Sequence, residues 1–179
     1  MRVLVTGERG FVGSYLVKYL KDNNDEVFGF GSVDLRDRDK TEELVISVKP
    51  EVIYHLAGIS FVPDAEKNFK ETLDVNVLGT EHLSSVCSKL SHPPTFVLAS
   101  SGEVYGKVKT VPISEEISPK PANNYSLSKL FAEEVVRKKS REGVIRGVIL
   151  RLFNHIGPGQ REDFVVANFT AQLKSGKNE

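Results

Sequence analysis

Short runs of branched apolar residues alternate along the chain with longer stretches in which apolar residues recur at helical spacing. Such runs are typical of strands buried on both faces of a parallel sheet. They predict strands at residues 3–5, 26–30, 52–56, 96–100 and 144–152, the last interrupted at Arg146 and Gly147. The amphipathic stretches predict helices at residues 15–20, 41–49, 66–90 and 124–142, and a last helix that runs to the C-terminus.

The alternation of strands and helices continues through all 179 residues, without repeats or low-complexity segments. That order predicts an α/β fold: a Rossmann-type, doubly wound parallel sheet with helices on both faces. Ligands of such sheets bind across the carboxyl ends of the strands. Candidate chemistry is therefore expected where the predicted strands end.

Three glycines, Gly7, Gly10 and Gly13, lie between the first predicted strand and the first predicted helix. Gly7 permits a tight turn, Gly10 lets a pyrophosphate approach the backbone, and Gly13 lets the helix pack close to the strand. The free N–H groups at the helix start would then face the anion. Because the triplet follows a strand and precedes a helix, it favours a dinucleotide site over an ordinary glycine-rich turn.

Composition and charge argue against several other classes of protein. Lysine plus arginine and aspartate plus glutamate number 24 each, so no broad basic field indicates a nucleic-acid or membrane partner. No apolar run approaches the roughly 18 residues of a membrane span, and the N-terminus lacks a signal-peptide pattern, so we expect a cytoplasmic protein. The single cysteine, Cys87, is expected in the core, and no metal site is predicted.

Tyr125 and Lys129 lie four residues apart at the start of a predicted helix and therefore share one helix face. A lysine ammonium near a phenol favours the phenolate, so we expect Lys129 to lower the pKa of Tyr125. Such a tyrosine can give or take a proton at a carbinol oxygen, and the Ser101 hydroxyl, at a neighbouring strand end, could hold the same oxygen. Pairs at this spacing are also common on helix surfaces, so this one indicates catalysis only together with the glycine loop.

Five motifs follow one another along the chain: Thr6-Gly7-x-x-Gly10-Phe11-Val12-Gly13, His55-Leu56-Ala57-Gly58, Asn76-Val77-Leu78-Gly79-Thr80, Ser100-Ser101-Gly102-Glu103-Val104-Tyr105-Gly106 and Tyr125-x-x-x-Lys129. In this order they resemble the extended short-chain dehydrogenases/reductases, in the group of nucleotide-sugar epimerases, dehydratases and reductases. Residues 60–63, 75–80 and 153–160 also resemble the GDP-6-deoxy-4-keto-mannose reductases of that group. The resemblance covers essentially the whole chain and corresponds to the N-terminal portion of such enzymes.

The resemblance implies roles for individual residues. Tyr125 would be the acid/base, Lys129 its pKa tuner and ribose ligand, and Ser101 the group that polarises the sugar oxygen. Glu103 occupies the position of the base of family dehydratases, but reductases and decarboxylases also carry an acid there, and Gly102 replaces the preceding acid of some dehydratases. The implied cofactor-binding residues are Gly7, Arg9, Gly10, Phe11, Val12, Gly13, Asp34, Leu35, Leu56, Ala57, Gly58, Asn76, Tyr125 and Lys129. Asn154 and His155 are candidate substrate residues, although His155 could equally be satisfied by a loop carbonyl.

The choice between NADP and NAD depends on the end of the second predicted strand. NAD selectivity needs an acid there to bind the ribose 2′-hydroxyl, and by register that position is Gly31. Asp34 comes three residues later and is expected at the adenine pocket. Arg9 lies inside the glycine loop, where its guanidinium could reach a 2′-phosphate, unless it is simply a solvated loop residue. NADP is therefore expected, with NAD as the alternative.

Three functions stay open. The first is an oxidoreductase that reduces the 4-keto group of a GDP-linked 6-deoxyhexose. The second is a nucleotide-sugar 4,6-dehydratase or epimerase that uses the nicotinamide transiently, and the third is a dinucleotide-binding module without turnover. Residues 1–179 are expected to form the dinucleotide-binding domain, with the family's C-terminal substrate domain absent. The resemblance also implies a homodimer through helices 66–90 and 124–142, whose additional apolar residues include Leu73, Val77, Leu83, Phe131 and Val135.

Overall fold

The computed structural model describes residues 1–176, so the end of the predicted last helix, at 177–179, lies outside the described residues. Within them, one sheet contains β1 (Arg2–Thr6), β2 (Glu26–Gly29), β3 (Val52–His55), β4 (Thr95–Ser101) and β5 (Arg146–Leu152). The strand order is β2-β1-β3-β4-β5, and each neighbouring pair is parallel. The predicted doubly wound parallel sheet is confirmed.

The helices cover both faces of this sheet. They are α1 (Phe11–Asp22), α2 (Arg38–Val48), α3 (Val62–Lys67), α4 (Phe69–Leu73), α5 (Gly79–Val86), α6 (Asn124–Arg141) and α7 (Val165–Lys174). On one face, Val3 of β1 packs with Leu20 of α1. On the other face, Leu4 belongs to a larger core with Val45 of α2 and Val136 of α6. This division is expected, because the right-handed crossover from β1 to β2 runs one way along the sheet, whereas those from β2 to β3 and from β4 to β5 run the other way, which places their helices on opposite faces.

The predicted helical stretch over residues 66–90 is confirmed, but it is not one regular α-helix. The chain instead forms α3, α4, a π-helical turn (Asp74–Leu78), α5 and a 3₁₀ turn (Cys87–Lys89). Asn68 interrupts the helix with φ −139° and ψ 75°, and its side chain accepts the Glu71 N–H, which starts α4. The π-helical turn carries Asn76, whose buried side chain belongs to the candidate site.

Two further boundaries differ from the prediction. β5 begins at Arg146 and is not interrupted, because Gly147 pairs in register with Phe96. A Cβ on Gly147 would lie 2.8 Å from Val136 Cγ1, so the glycine lets α6 pack closely on the strand. α2 begins at Arg38, earlier than predicted, because the Asp37 carboxylate caps it by accepting the Lys40 N–H at 3.1 Å.

The described residues contain neither a membrane-spanning helix nor a candidate metal centre. No helix among them is long and apolar enough to cross a membrane. They also contain no group of three or more His, Cys, Asp or Glu side chains placed to hold a metal ion.

Candidate active site

The glycine loop joins β1 to α1 and folds back on itself. The Gly10 N–H donates to the Gly7 carbonyl at 2.9 Å, and Gly7 has a φ of +72°, which favours glycine. A Cβ on Gly13 would lie 2.1 Å from the Gly7 carbonyl oxygen, so a side chain there would push α1 away from the loop. No side chain caps the N-terminus of α1 within the described part of the chain. Bare backbone and uncapped N–H groups fit a diphosphate.

A pocket opens beside this loop, at the carboxyl ends of β1 and β2. The predicted cofactor residues that line it are Gly7, Arg9, Gly10, Asp34, Leu35 and Ala57. Residues that the sequence did not single out as ligands also line it, namely Glu8, Phe30, Val33 and Val75, and so does Gly31. The sequence offered one signal for these additional residues, which is that they are close in the chain to predicted cofactor residues.

The remaining predicted cofactor residues surround this pocket. Phe11 and Val12 begin α1, and a Cβ on Gly157 would lie 3.2 Å from the ring of Phe11. Leu56 packs against the β1 cluster that contains Val3. A Cβ on Gly58 would lie 2.7 Å from Asn76 Oδ1 and 3.4 Å from Lys129 Nζ. Gly58 therefore leaves room for both of these side chains.

Lys129 is a buried cation at the centre of the site. Its ammonium donates to the Ala99 carbonyl at 3.0 Å, and burial lowers the pKa of Lys129 to about 8. Asn76 fixes the loop that follows β3 and contains Ile59. Its Nδ2 donates to the Ile59 carbonyl at 3.0 Å and its Oδ1 accepts the Ile59 N–H at 2.8 Å. Nδ2 also donates to the Ser128 hydroxyl at 2.9 Å, which joins the loop to α6.

Ser101 and Tyr125 are brought together by the end of β4 and the start of α6. Asn123 caps α6 by accepting the Ser126 N–H at 2.7 Å, and the two residues form a capping box. Tyr125 therefore lies in the first turn, close enough to the Ser101 hydroxyl for that group to lower the pKa of the phenol. The exposed Glu103 accepts a hydrogen bond from Asn123 Nδ2 at 3.0 Å.

The prediction that Lys129 lowers the pKa of Tyr125 is wrong. Burial raises the pKa of Tyr125 and the Glu103 carboxylate raises it further, while interaction with the Ser101 hydroxyl lowers it. The Lys129 ammonium is 6.0 Å from the centre of the Tyr125 ring, too far for a hydrogen bond to its π face, and is bound to the Ala99 carbonyl. The protonated phenol is therefore the dominant form, which suits a proton donor.

Behind the glycine loop, His55 links three parts of the fold. Its Nδ1 is 2.7 Å from the Thr6 hydroxyl and its Nε2 is 2.9 Å from the Thr80 hydroxyl. The Thr80 hydroxyl donates to the Asn76 carbonyl at 2.6 Å, so its oxygen accepts from Nε2–H. Burial, followed by the charge of Lys129, lowers the pKa of His55 to about 3, and the ring is therefore neutral.

A buried carboxylate, that of Glu133, supports the end of β4. It accepts hydrogen bonds from the Ser100 hydroxyl at 2.5 Å, from Arg151 Nε at 3.0 Å and from Arg137 Nη2 at 2.8 Å. The Arg151 guanidinium lies 4.6 Å from the centre of the Tyr105 ring. Burial alone would raise the pKa of Glu133, but the hydrogen bonds from Arg151 and Ser100 lower it overall.

The structure does not bring the two predicted substrate residues into this cluster. Asn154 and His155 are exposed in the loop after β5. His155 Nδ1 lies 2.7 Å from the Phe153 carbonyl and donates to it, so the alternative of a histidine satisfied by a loop carbonyl describes its contacts. The Phe153 ring lies 2.9 Å from where a Cβ of Gly102 would be.

The second strand carries no acid of its own at its end, as predicted, but an acid from another segment reaches this position. Gly31 is at that end as predicted, but its N–H donates to Glu8 Oε1 at 3.0 Å. Glu8 comes from the glycine loop, and the exposed Arg9 is 3.4 Å from the same oxygen through Nε. Asp34, which also lines the pocket, is paired with Arg36 at 2.6 Å, and hydrogen bonds from Arg36 lower the pKa of Asp34.

Comparison with known proteins identifies the family. The model of the NAD dependent epimerase/dehydratase family matches residues 3–179, and the chain belongs to this family. The glycine loop and the Tyr125–Lys129 pair described above lie within the matched residues. The predicted resemblance is confirmed.

The relatives include enzymes that act on GDP sugars. GDP-6-deoxy-D-mannose reductase of Pseudomonas aeruginosa is 38% identical, over 96% of this chain and 58% of the relative. GDP-6-deoxy-D-talose 4-dehydrogenase of Aggregatibacter actinomycetemcomitans is 36% identical, over 93% of this chain and 57% of the relative. The chain thus spans little more than half of these curated relatives.

Solved structures support the same fold. The structure of RMD from Pseudomonas aeruginosa complexed with NADPH has a TM-score of 0.89 and 35% identity, over 99% of this chain and 63% of that one. UDP-glucose 4-epimerase of Thermus thermophilus, in complex with NAD, has a TM-score of 0.83 and 29% identity, over 90% of this chain and 58% of that one. Structures similar to this chain therefore include one with NADPH and one with NAD.

Proposed function

We propose that residues 1–179 form the dinucleotide-binding domain of a nucleotide-sugar oxidoreductase that reduces the 4-keto group of a GDP-linked 6-deoxyhexose. The observation that carries this proposal is the meeting of Ser101, Tyr125 and Lys129 at the carboxyl ends of the strands, next to the glycine-loop pocket. The similarity to GDP-6-deoxy-D-mannose reductase supports both the reductase chemistry and the GDP sugar.

The side chains suit reduction of a carbonyl. When bound, the nicotinamide would supply the hydride for the keto carbon. The protonated phenol of Tyr125 would donate its proton to the keto oxygen as the alcohol forms, and the Ser101 hydroxyl would hydrogen-bond to the same oxygen. The Lys129 ammonium, buried beside Gly58, would bind ribose hydroxyls and favour the phenolate that remains after proton transfer.

The proposed cofactor is NADP(H), with NAD(H) as the alternative. The guanidinium of Arg9 is 71% exposed and lines the pocket, where it can approach a 2′-phosphate. The glycine loop and the uncapped start of α1 would hold the diphosphate. The structure of RMD from Pseudomonas aeruginosa with NADPH supports the first choice.

One observation favours a second candidate, a nucleotide-sugar 4,6-dehydratase or epimerase. The Glu103 carboxylate is close enough to Tyr125 to raise the pKa of that phenol, so a second proton-transfer group lies in the site. However, the ring of Phe153 occupies the space that a side chain at Gly102 would need. The two adjacent acids of some dehydratases therefore cannot be accommodated without displacing that ring.

The nucleotide sugar is the proposed small-molecule partner, and a homodimer is the proposed assembly. The exposed apolar side chains of Leu78, beside α5, and Phe131, on α6, support the dimer. Leu83, which was expected to contribute, is fully buried in the core and is excluded from that surface. A cytoplasmic location, where nucleotide sugars and reduced nicotinamides are available, completes the proposal.

The reaction can be tested by incubating the protein with NADPH and GDP-4-keto-6-deoxymannose while the absorbance of the reduced cofactor is followed. We expect one NADPH to be oxidised per sugar reduced. The rate should be orders of magnitude below that of the longer Pseudomonas reductase, because remote contacts supply much of the substrate's positioning. Tyr125→Phe should abolish oxidation, whereas Tyr19→Phe, at a tyrosine that is 66% exposed, should not change it.

The other outcomes distinguish the alternatives. Conversion of a GDP sugar without net change in NADPH would replace the reductase by a dehydratase or epimerase. Cofactor binding without turnover, even when the C-terminal half of a relative is added, would indicate a binding module.

A further inference from the structure

The carboxyl end of β2 is built to receive a side chain from another segment. Gly29 and Gly31 carry no side chains there, and a Cβ on Gly29 would lie 2.8 Å from Glu8 Cγ. Glu8 therefore fits over this strand end because Gly29 has no side chain. The Gly31 N–H bond to Glu8 Oε1, at 3.0 Å, fixes the carboxylate at the position where NAD-selective sheets carry their own acid.

The contacts of Glu8 leave part of its carboxylate for a ligand. Both the Gly31 N–H and Arg9 Nε approach Oε1, whereas Oε2 accepts no hydrogen bond from the described residues. The side chain lines the pocket and is 16% exposed, so it is held in place yet accessible. A carboxylate oxygen placed in this way can accept a hydrogen bond from a ribose hydroxyl.

Because their charges are opposite, Glu8 and Arg9 have opposite effects on the affinity for a 2′-phosphate. A 2′-phosphate carries between one and two negative charges at neutral pH, so it is attracted by Arg9 and repelled by Glu8. A 2′-hydroxyl is not repelled and gains an acceptor. Among the described residues, the exposed Arg9 has a long contact of 3.4 Å to Glu8 as its one side-chain hydrogen bond, whereas Glu8 is anchored by packing and by the backbone.

We propose that Glu8 is a specificity-determining residue that reads the ribose 2′ position in place of the acid missing from β2. Its carboxylate binds the 2′-hydroxyl of NAD(H) and offsets the attraction of Arg9 for the 2′-phosphate of NADP(H). The protein accordingly accepts both dinucleotides, with affinities within about tenfold of each other. This inference rests on the cofactor site of the proposed function and is independent of the sugar reaction.

Calorimetric titration of the full chain with NADPH and with NADH tests the proposal directly. Glu8→Gln keeps the shape of the side chain and an oxygen for the Gly31 N–H, but removes the charge. We expect it to raise the ratio of NADPH to NADH affinity by about tenfold, equivalent to about 1.4 kcal/mol. Arg9→Gln should lower the ratio, and higher salt should reduce both shifts.

Glu26→Gln is the matched control, because Glu26 is an exposed acid at the opposite end of the same strand. It should leave the ratio unchanged. If both dinucleotides bind but Glu8→Gln changes the ratio by less than about twofold, the role of Glu8 is overturned while the cofactor site stands. If neither dinucleotide binds the wild type, the role of Glu8 and the proposed cofactor site are both overturned.

Discussion

At the scale of single residues, the neutral His55 links the protonation of one ring to the stability of the sheet. The ring accepts from the Thr6 hydroxyl and donates to the Thr80 hydroxyl, so neither nitrogen has room for an added proton without loss of a hydrogen bond. Thr6 in turn accepts the Ala57 N–H at 3.1 Å. Protonation of His55 would thus disturb the strand ends that carry the cofactor pocket.

We predict that His55 makes the protein sensitive to acid. Its pKa is lowered to about 3 in the folded chain from 6.5, so the unfolded state binds more protons between these pH values and stability falls as the pH falls. Between pH 7 and pH 5 this group should remove roughly 2 kcal/mol from the free energy of unfolding. Urea unfolding at both pH values should show this loss in the wild type and a smaller loss in His55→Gln.

His155→Gln is the control for this measurement, because His155 is exposed and should leave the pH dependence unchanged. An equal pH dependence in wild type and His55→Gln would show that the ring takes up its proton equally in the folded and unfolded states, so that folding does not lower its pKa.

The roles of residues could be predicted from sequence only where the signal was local. Tyr125 and Lys129 share a helix face because they are four residues apart, and Ser101 follows an apolar strand. Glu8 meets Gly31 across 23 residues, and His55 meets Thr6 across 49, so no short pattern reveals either contact. The direction of the Tyr125 pKa was missed because burial of the phenol depends on the packed fold.

At the scale of elements, the buried Glu133 connects α6 to the ends of β4 and β5. The neighbouring Glu134 also pairs with Arg137, at 2.6 Å, but it is on the solvent side with 58% of its side chain exposed. The two carboxylates therefore share a helix and a partner and differ in burial. Since an uncompensated buried charge is costly, only Glu133 should matter for stability.

We predict that Glu133→Gln lowers the free energy of unfolding by about 3 kcal/mol, because Arg151 loses its buried counter-ion. Glu134→Gln should change it by less than about 0.5 kcal/mol, as expected for an exposed pair. Urea unfolding of both variants at neutral pH provides the comparison. Similar losses in the two variants would mean that burial does not set the strength of these pairs.

The positions of most elements could be predicted from sequence, whereas their interruptions could not. Apolar runs located all the strands of the described sheet, because a strand buried on both faces needs apolar residues throughout. The helical stretch at 66–90 was predicted without its break, because its apolar spacing continues through Asn68 and the π-helical turn. The break depends on one side chain that hydrogen-bonds to the backbone, a weak signal in a single sequence.

At the scale of the whole molecule, one end of the sheet assembles the complete candidate site. The pocket uses residues from the glycine loop to Val75, and the proton-transfer groups lie between Ser101 and Lys129. We therefore expect residues 1–179 to bind the cofactor. The site described here assigns no contacts to the parts of a sugar nucleotide beyond the keto group. Phe131, on the same helix as Tyr125 and Lys129, is 42% exposed.

We predict that this face joins two copies of the chain. α5 and α6 pack side by side, so Leu78, 48% exposed, and Phe131 could form one apolar surface that a second copy would cover. Phe131→Asp should place a charge in that interface and weaken the dimer at least roughly tenfold. Phe169→Asp, at an exposed phenylalanine of α7, should leave it unchanged. Light scattering gives the mass, and it should be measured at roughly tens of micromolar protein, where a standard interface is formed. A monomer mass for the wild type would disprove the dimer.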